Sequence, residues 1–91
     1  MIKTGPTVQK RWDFVLDMAN CPTQVMTSSS AQAAKGARTD AVYILKRPAT
    51  LNTGLLVTAK CTTAGQILLD FFNITVADIN PGELTYEVVM L

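Results

Sequence analysis

The side chains that could do chemistry in this 91-residue chain are few, and their spacing does not favour catalysis. Ser28, Ser29 and Ser30 are potential nucleophiles, but a serine needs a neighbouring base, and the chain contains no histidine. Asp13 and Asp17 would form a carboxylate pair on a helix, whereas on an extended strand they stand about 13 Å apart. The sequence therefore predicts no catalytic residue and a protein that is not an enzyme.

The two cysteines and five glycines also lack the spacing of known sites. Cys21 and Cys61 lie far apart in the sequence, so local spacing builds neither a CxxC redox site nor a zinc site. We expect both thiols to be reduced and packed in the core, with a disulfide as the alternative. The glycines are scattered one to a turn and form no phosphate-binding loop. No cofactor and no metal site is predicted.

Composition indicates a domain that covers part of its surface with a partner. Charged residues make up 16% of the chain, against roughly 25% in an average soluble domain, and hydrophobic residues make up 48%. A net charge of +1 gives no case for nucleic acid or an anionic membrane. A chain of this length buries a modest core, which favours a homo-oligomer. Met1–Pro6 has no apolar core like that of a signal peptide, so synthesis and retention in a cytoplasm are expected.

The elements that would position these residues are strands separated by turns. Alternation of apolar and polar residues predicts five strands, at Thr7–Met18, Asp40–Arg47, Leu55–Lys60, Ile67–Phe72 and Leu84–Met90. Turn residues follow at Asn20–Thr23, Pro48–Gly54 and Asn80–Glu83, the last as a type II turn with glycine at the second central position. With no long helical pattern between the strands, the sequence predicts an all-β fold, a small antiparallel sandwich or open barrel. A single domain would span 1–91, with a short N-terminal arm at 1–6.

Three segments carry more specific expectations. Thr27–Arg38 is rich in serine and alanine and predicts either a long loop or a short helix, whose order depends on a partner. Asp40–Arg47 has apolar side chains on both faces, which indicates a central strand. Asn73–Asn80 allows a single helical turn. Its sequon, Asn73-Ile74-Thr75, is discounted because no secretory signal accompanies it.

The aromatic residues are predicted to be core residues, with one exception. Trp12 and Tyr43 occupy alternating strand positions, where packing is a simpler explanation than stacking on bases. Phe71 and Phe72 are adjacent, so their rings must point to opposite faces of a strand. Phe72 is therefore a candidate contact with another subunit.

Four stretches together resemble small β-sandwich modules of tailed-bacteriophage particles, the kind found at the start of baseplate upper proteins and tail-fibre proteins. The stretches are Arg11-Trp12-Asp13-Phe14, Ala41–Arg47, Gly65-Gln66-Ile67-Leu68-Leu69 and the ending Asn80–Val88. In the ending, Pro81-Gly82 precedes Tyr86 within a strand, as in that group. Met26–Arg38 departs from the group, whose connection at this point is shorter.

The resemblance implies an Ig-like domain that acts as an adaptor or attachment module in the tail, baseplate or fibre of a virion. Its partners would be other virion proteins and further copies of itself, and its location would be the particle. The expected contact residues lie in the arm, in the serine-rich segment and on one strand: Ile2, Lys3, Ser28, Ser29, Ser30, Gln32, Lys35 and Phe72. Two alternatives remain: a capsid cement or decoration protein, with a different copy number per particle, and a carbohydrate-binding module.

Overall fold

The computed structural model describes residues 10–18 and 20–91, so the N-terminal arm at 1–6, with Ile2 and Lys3, lies outside the described residues. The two longest strands, β1 and β7, coincide with stretches of alternating buried and less buried side chains. The strands are β1 (Lys10–Met18), β2 (Met26–Ser28), β3 (Gln32–Ala33), β4 (Tyr43–Lys46), β5 (Leu55–Lys60), β6 (Gln66–Asn73) and β7 (Gly82–Met90). The predicted all-β antiparallel sandwich is confirmed.

The first sheet has the order β1-β7-β4, with β7 in the centre. Its long ladder pairs Lys10 with Met90 at one end and Met18 with Gly82 at the other, antiparallel and without a bulge. Phe14, Leu16 and Met18 are buried on one face of β1, while the residues between them are exposed. Tyr86 and Val88 are buried on the same side of β7. The alternation predicted for both strands is confirmed.

The second sheet is built around β6, with β5 on one side and the short strands β2 and β3 on the other. Ser28 faces Asp70 and Gln32 faces Ile67, so three residues of the edge strand oppose two residues of β6. This extra residue is a β-bulge that separates β2 from β3. The serine-rich segment thus forms one interrupted edge strand.

The core lies between the two sheets. Ile67, Leu69 and Phe71 point into it from β6, and Phe71 packs edge-to-face against Tyr86 with ring centroids 5.5 Å apart. Such aromatic pairs add about 1 kcal/mol to the free energy of burial. Cys21 and Cys61 are both buried and free, as expected.

Side chains bonded to main-chain atoms fix the ends of the sandwich. The Arg47 guanidinium donates to the carbonyl oxygens of Asn52 and Leu55, which holds the corner between β4 and β5. At the end of β6, the buried Asn73 amide donates to Cys21 O at 2.9 Å and Ala77 O at 2.8 Å. Asn73 Oδ1 accepts from the Thr75 N–H. These bonds hold the loop that was expected to form a helical turn.

Three expectations are corrected. Residues 27–38 contain most of β2, the bulge and β3 in place of a helix, and they pair with β6; the dependence of their order on a partner stays a prediction. The helical alternative fails because hydrogen bonds to β6 outweigh the weak preference of three alanines. Strand β4 is an edge strand and not a central one, because among the described residues it pairs only with β7, and its outward Ile44 is exposed. The 73–80 loop contains no helical turn, because the Asn73 side chain bonds to the Thr75 N–H and to the carbonyl oxygen of Ala77.

Gly82 begins β7 with an unusual backbone conformation. Its φ is +71°, a left-handed conformation that favours glycine, and its N–H donates to Asn80 Oδ1 at 3.0 Å. A fourth expectation, the type II turn at 80–83, is wrong: the structure has no turn at Asn80 or Pro81, and Cys21 pairs antiparallel with Ile79 beyond the Met18–Gly82 pair, so the chain continues alongside β1. The strand begins at Gly82 itself, two residues earlier than the sequence pattern indicates.

Candidate interaction surfaces

An apolar row crosses the outer face of the second sheet. Met26 and Leu56 both lie directly opposite Phe72, one on each side of it, so the three side chains share one face. Met26 is 56% exposed and Leu56 51%, while Phe72 between them is half-buried. Phe71 points into the core, so the two phenylalanines do face opposite ways. This outer row is defined here as Met26, Phe72 and Leu56.

A charged row lies next to the outer row on the same face. The Asp70 carboxylate accepts a 2.6 Å hydrogen bond from Ser28 Oγ and lies 3.0 Å from Lys60 Nζ. The Asp70 side chain is only 11% exposed because Ser28 and Lys60 cover it from the two neighbouring strands. Protein contact surfaces commonly have apolar side chains in the centre and polar groups at the rim, and the outer row beside this ion pair has that arrangement.

The other expected contact residues are spread along the bulge. The buried Ser29 Oγ accepts from the Leu69 N–H at 3.0 Å and donates to Ser30 O at 2.9 Å. Gln32 Nε2 reaches back to Ser30 O and Ser30 Oγ, and the exposed Lys35 accepts from Trp12 Nε1 through its carbonyl. Of the expected contact residues that the structure describes, only Ser28 therefore lies beside Phe72 on one face of the sheet. Ser29 is buried, and its hydroxyl bonds to main-chain atoms.

The outer face of the first sheet carries charges in rows. Asp13 lies opposite Glu87, and Asp17 lies opposite Glu83, so two pairs of like charges face each other across β1 and β7. Lys46 adjoins Glu87 from β4, and Arg11 Nε lies 3.7 Å from Glu87 Oε2. Like charges directly opposite destabilise a sheet. Asp17 and Glu83 have no ion-pair partner among the residues that the structure describes.

An open depression of about 350 Å³ lies beside these charges, and it offers little to a small ligand. Lys46, Arg47, Pro48, Ala49, Thr85 and Glu87 line it. The Arg47 guanidinium is already bound to two carbonyl oxygens. Ligand sites are concave and largely apolar, with a few convergent polar groups, and this depression is shallow and charged.

Cys21, Tyr43 and Tyr86 are titratable groups that favour their neutral forms. Burial raises the pKa of the Cys21 thiol and, above all other causes, the pKa values of Tyr43 and Tyr86. A reactive thiol requires a lowered pKa, so Cys21 has the character of a packing residue. Within 10–18 and 20–91, no three acidic or cysteine side chains gather as a metal site would require. Over the same ranges, no helix is long and apolar enough to cross a membrane.

The aromatic pair Trp12 and Tyr43 forms part of the packing. Their ring centroids are 6.3 Å apart, and both rings pack against the core cluster while remaining partly exposed. Trp12 Nε1 donates to Lys35 O, and the Tyr43 hydroxyl bonds to both main-chain polar groups of Arg38. The polar groups of both side chains are therefore bonded to main-chain atoms of the segment before β4.

Comparison of the chain with protein-family models, with curated proteins and with solved structures found no match. The argument about function therefore depends on the surfaces themselves.

Sequence reasoning identified Phe72 and Ser28 but missed Met26 and Leu56. The signal for Leu56 was present, because Leu56, Thr58 and Lys60 alternate with the inward Leu55, Val57 and Ala59. Met26 was missed because the sequence places it before the segment 27–38, whereas β2 begins at that residue.

Proposed function

We propose that this chain is a non-enzymatic structural module of a tailed-bacteriophage particle, which attaches tail, baseplate or fibre components through surface contacts. The observation that carries the proposal is the outer row, in which Met26 and Leu56 are exposed on either side of the half-buried Phe72, beside a satisfied ion pair. Exposed apolar side chains with a polar rim are typical of surfaces that bind another protein. The resemblance of the sequence to phage β-sandwich modules supplies the class of partner, another virion protein.

The rest of the chemistry agrees with a contact role. The serines and cysteines of the described residues serve packing and hydrogen bonding, and the charged depression has its arginine occupied. An adaptor of this kind needs a rigid fold and exposed faces, both of which an antiparallel sandwich supplies. An Ig-like module held in a symmetric particle fits this description.

Incorporation of variants into particles tests the proposal. Leu56→Asn and Met26→Asn each remove apolar contact area from the outer row without touching the core. We expect either variant to reduce the amount of chain in purified particles several-fold, since contact residues at the centre of an interface cost more than 1 kcal/mol when truncated. Val42→Asn is the matched control, because Val42 is equally exposed but precedes β4 of the other sheet.

Unchanged incorporation of both outer-row variants would contradict the proposal, because it would show that the outer row makes no contact needed for incorporation. The melting temperature of each purified variant is measured alongside, so that loss of folding is distinguished from loss of contact. A copy number in the hundreds per particle would assign the chain to capsid decoration.

A further inference from the structure

Strand β1 is a long open edge. It pairs only with β7 among the described residues, over nine residues that contain no proline and no bulge. Natural sheets protect such edges with short strands, prolines or bulges, because an open edge can pair with another strand. Here the charged side chains of Lys10, Arg11, Asp13 and Asp17 are the only protection of this kind within β1.

The register shows which main-chain groups are open. The Leu91 N–H donates to Val42 O, so odd-numbered residues of β7 direct their N–H and C=O groups towards β4. Even-numbered residues of β7 therefore face β1, where Tyr86 pairs with Phe14. It follows that Arg11, Asp13, Val15 and Asp17 direct their N–H and C=O groups away from β7. No other described residue bonds to these groups.

We propose that β1 pairs antiparallel with β1 of a second copy of this chain, about a two-fold axis at Phe14. This register is the one in which all nine residues of both strands are paired. It places Arg11 opposite Asp17 of the second copy, twice by symmetry, and Asp13 opposite Val15. Each of these pairs joins residues with open main-chain groups, so each exchanges two backbone hydrogen bonds.

Charge selects this register over its neighbours. Moving the axis to Val15 would set Asp13 against Asp17 of the second copy, and moving it to Asp13 would set that carboxylate against itself. The axis at Phe14 instead brings Arg11 of the second copy beside Asp17, which within one chain faces only Glu83. The Asp17–Glu83 pair of like charges in the monomer thus gains the positive charge of Arg11 from the second copy.

The product is a six-stranded sheet with the order β4-β7-β1-β1-β7-β4, closed by a two-fold axis. It leaves the outer row of the second sheet free in both copies. The inference rests on the proposed function only in that an assembly module is required in several copies. It is tested on the purified chain alone, so its failure leaves the contact with virion proteins untouched.

Sedimentation equilibrium of the full chain gives the first test, and a concentration-dependent dimer is expected. Val15→Pro removes an N–H that points to the open edge and leaves the β1–β7 ladder intact, so it should abolish the dimer. Val15→Thr keeps the N–H and is the matched control. A chain that remains monomeric at all concentrations would overturn the proposal.

Charge exchange tests the register itself and does not depend on the proline variant. Arg11→Asp and Asp17→Arg should each weaken the homodimer roughly tenfold or more, because two facing pairs change from attraction to repulsion. Mixing the two variants should restore a heterodimer, and the double variant should restore the homodimer. A dimer that neither single change weakens, or one that mixing does not restore, would contradict this pairing.

Discussion

At the scale of single residues, the hydroxyl of Tyr86 is the one buried side-chain polar atom in the described part of the chain that has no hydrogen-bond partner. An unsatisfied buried donor costs about 1–3 kcal/mol. Tyr86→Phe should therefore raise the free energy of unfolding by about 1 kcal/mol, since the ring and its contact with Phe71 remain. Urea denaturation monitored by the fluorescence of Trp12 measures the change.

The matched control is Tyr43→Phe, which removes the same atom from a satisfied site. The Tyr43 hydroxyl accepts from the Arg38 N–H at 2.8 Å and donates to Arg38 O at 2.6 Å. Its loss should lower the free energy of unfolding by about 1 kcal/mol. Equal effects of the two substitutions would show that the Tyr86 hydroxyl has a partner after all.

The same residues set the response to alkaline pH. Burial raises the pKa values of Tyr43 and Tyr86 above their ordinary 10.0 and the pKa of Cys21 above 9.0. Above those ordinary values the unfolded chain loses protons that the folded chain keeps, so the free energy of unfolding falls as pH rises. We expect full stability from these groups below about pH 9 and a progressive loss above it.

Denaturation curves between neutral pH and pH 11 measure this dependence. Tyr86→Phe should make the alkaline loss shallower, because one of the buried groups can no longer ionise on unfolding. A free energy of unfolding that rose with pH over this range would contradict the raised pKa values.

At the scale of elements, the bulge between β2 and β3 depends on one serine. Ser29 Oγ accepts from the Leu69 N–H, where a regular strand would offer a main-chain carbonyl. Ser29→Ala should lower the free energy of unfolding by about 1–3 kcal/mol, because the buried Leu69 N–H would lose its acceptor. Ser30→Ala, at an exposed position on the other side of the bulge, should cost less than about 0.5 kcal/mol.

Thermal unfolding followed by circular dichroism compares the two serine variants. If both cost the same, the side chain of Ser29 has no special part in the edge strand. Loss of incorporation into particles with Ser30→Ala, but without loss of stability, would instead support the expected contact role of the serines.

The elements also show how far the sequence alone could lead. Long strands with clear alternation, such as β1 and β7, were predicted with their ends at Met18 and Met90, because one face is buried along much of their length; the predicted residues 7–9 of the first strand lie outside the described residues. The strands β2 and β3 were missed because two or three residues are too short for periodicity to appear. The predicted central position of β4 was wrong. Val42 and Ile44 are apolar, as they would be in a strand covered on both faces, but both are exposed.

The candidate surfaces were harder to predict than the fold. Phe72 was identified because two adjacent phenylalanines cannot share one face of a strand. Met26 and Leu56 join it only through cross-strand pairing, which depends on register and cannot be read from either residue alone. The open edge of β1 likewise follows from strand order, because the sequence of β1 does not show that β7 is the only strand beside it within residues 10–18 and 20–91.

At the scale of the whole molecule, function is assigned to two surfaces of one sandwich. The outer row offers apolar contact area on the second sheet, and the open edge of β1 belongs to the first sheet. A module with both could join a neighbour through one surface and a second copy of itself through the other. Such a division suits a part that repeats around an axis of a particle.

Quantitative mass spectrometry of purified phage particles, from the source whose genome encodes this chain, tests the central claim most directly. We expect the chain in a small, fixed number of copies per particle, in constant ratio to the tail or baseplate proteins. Its absence from particles that other virion proteins show to be intact would contradict the assignment to the virion.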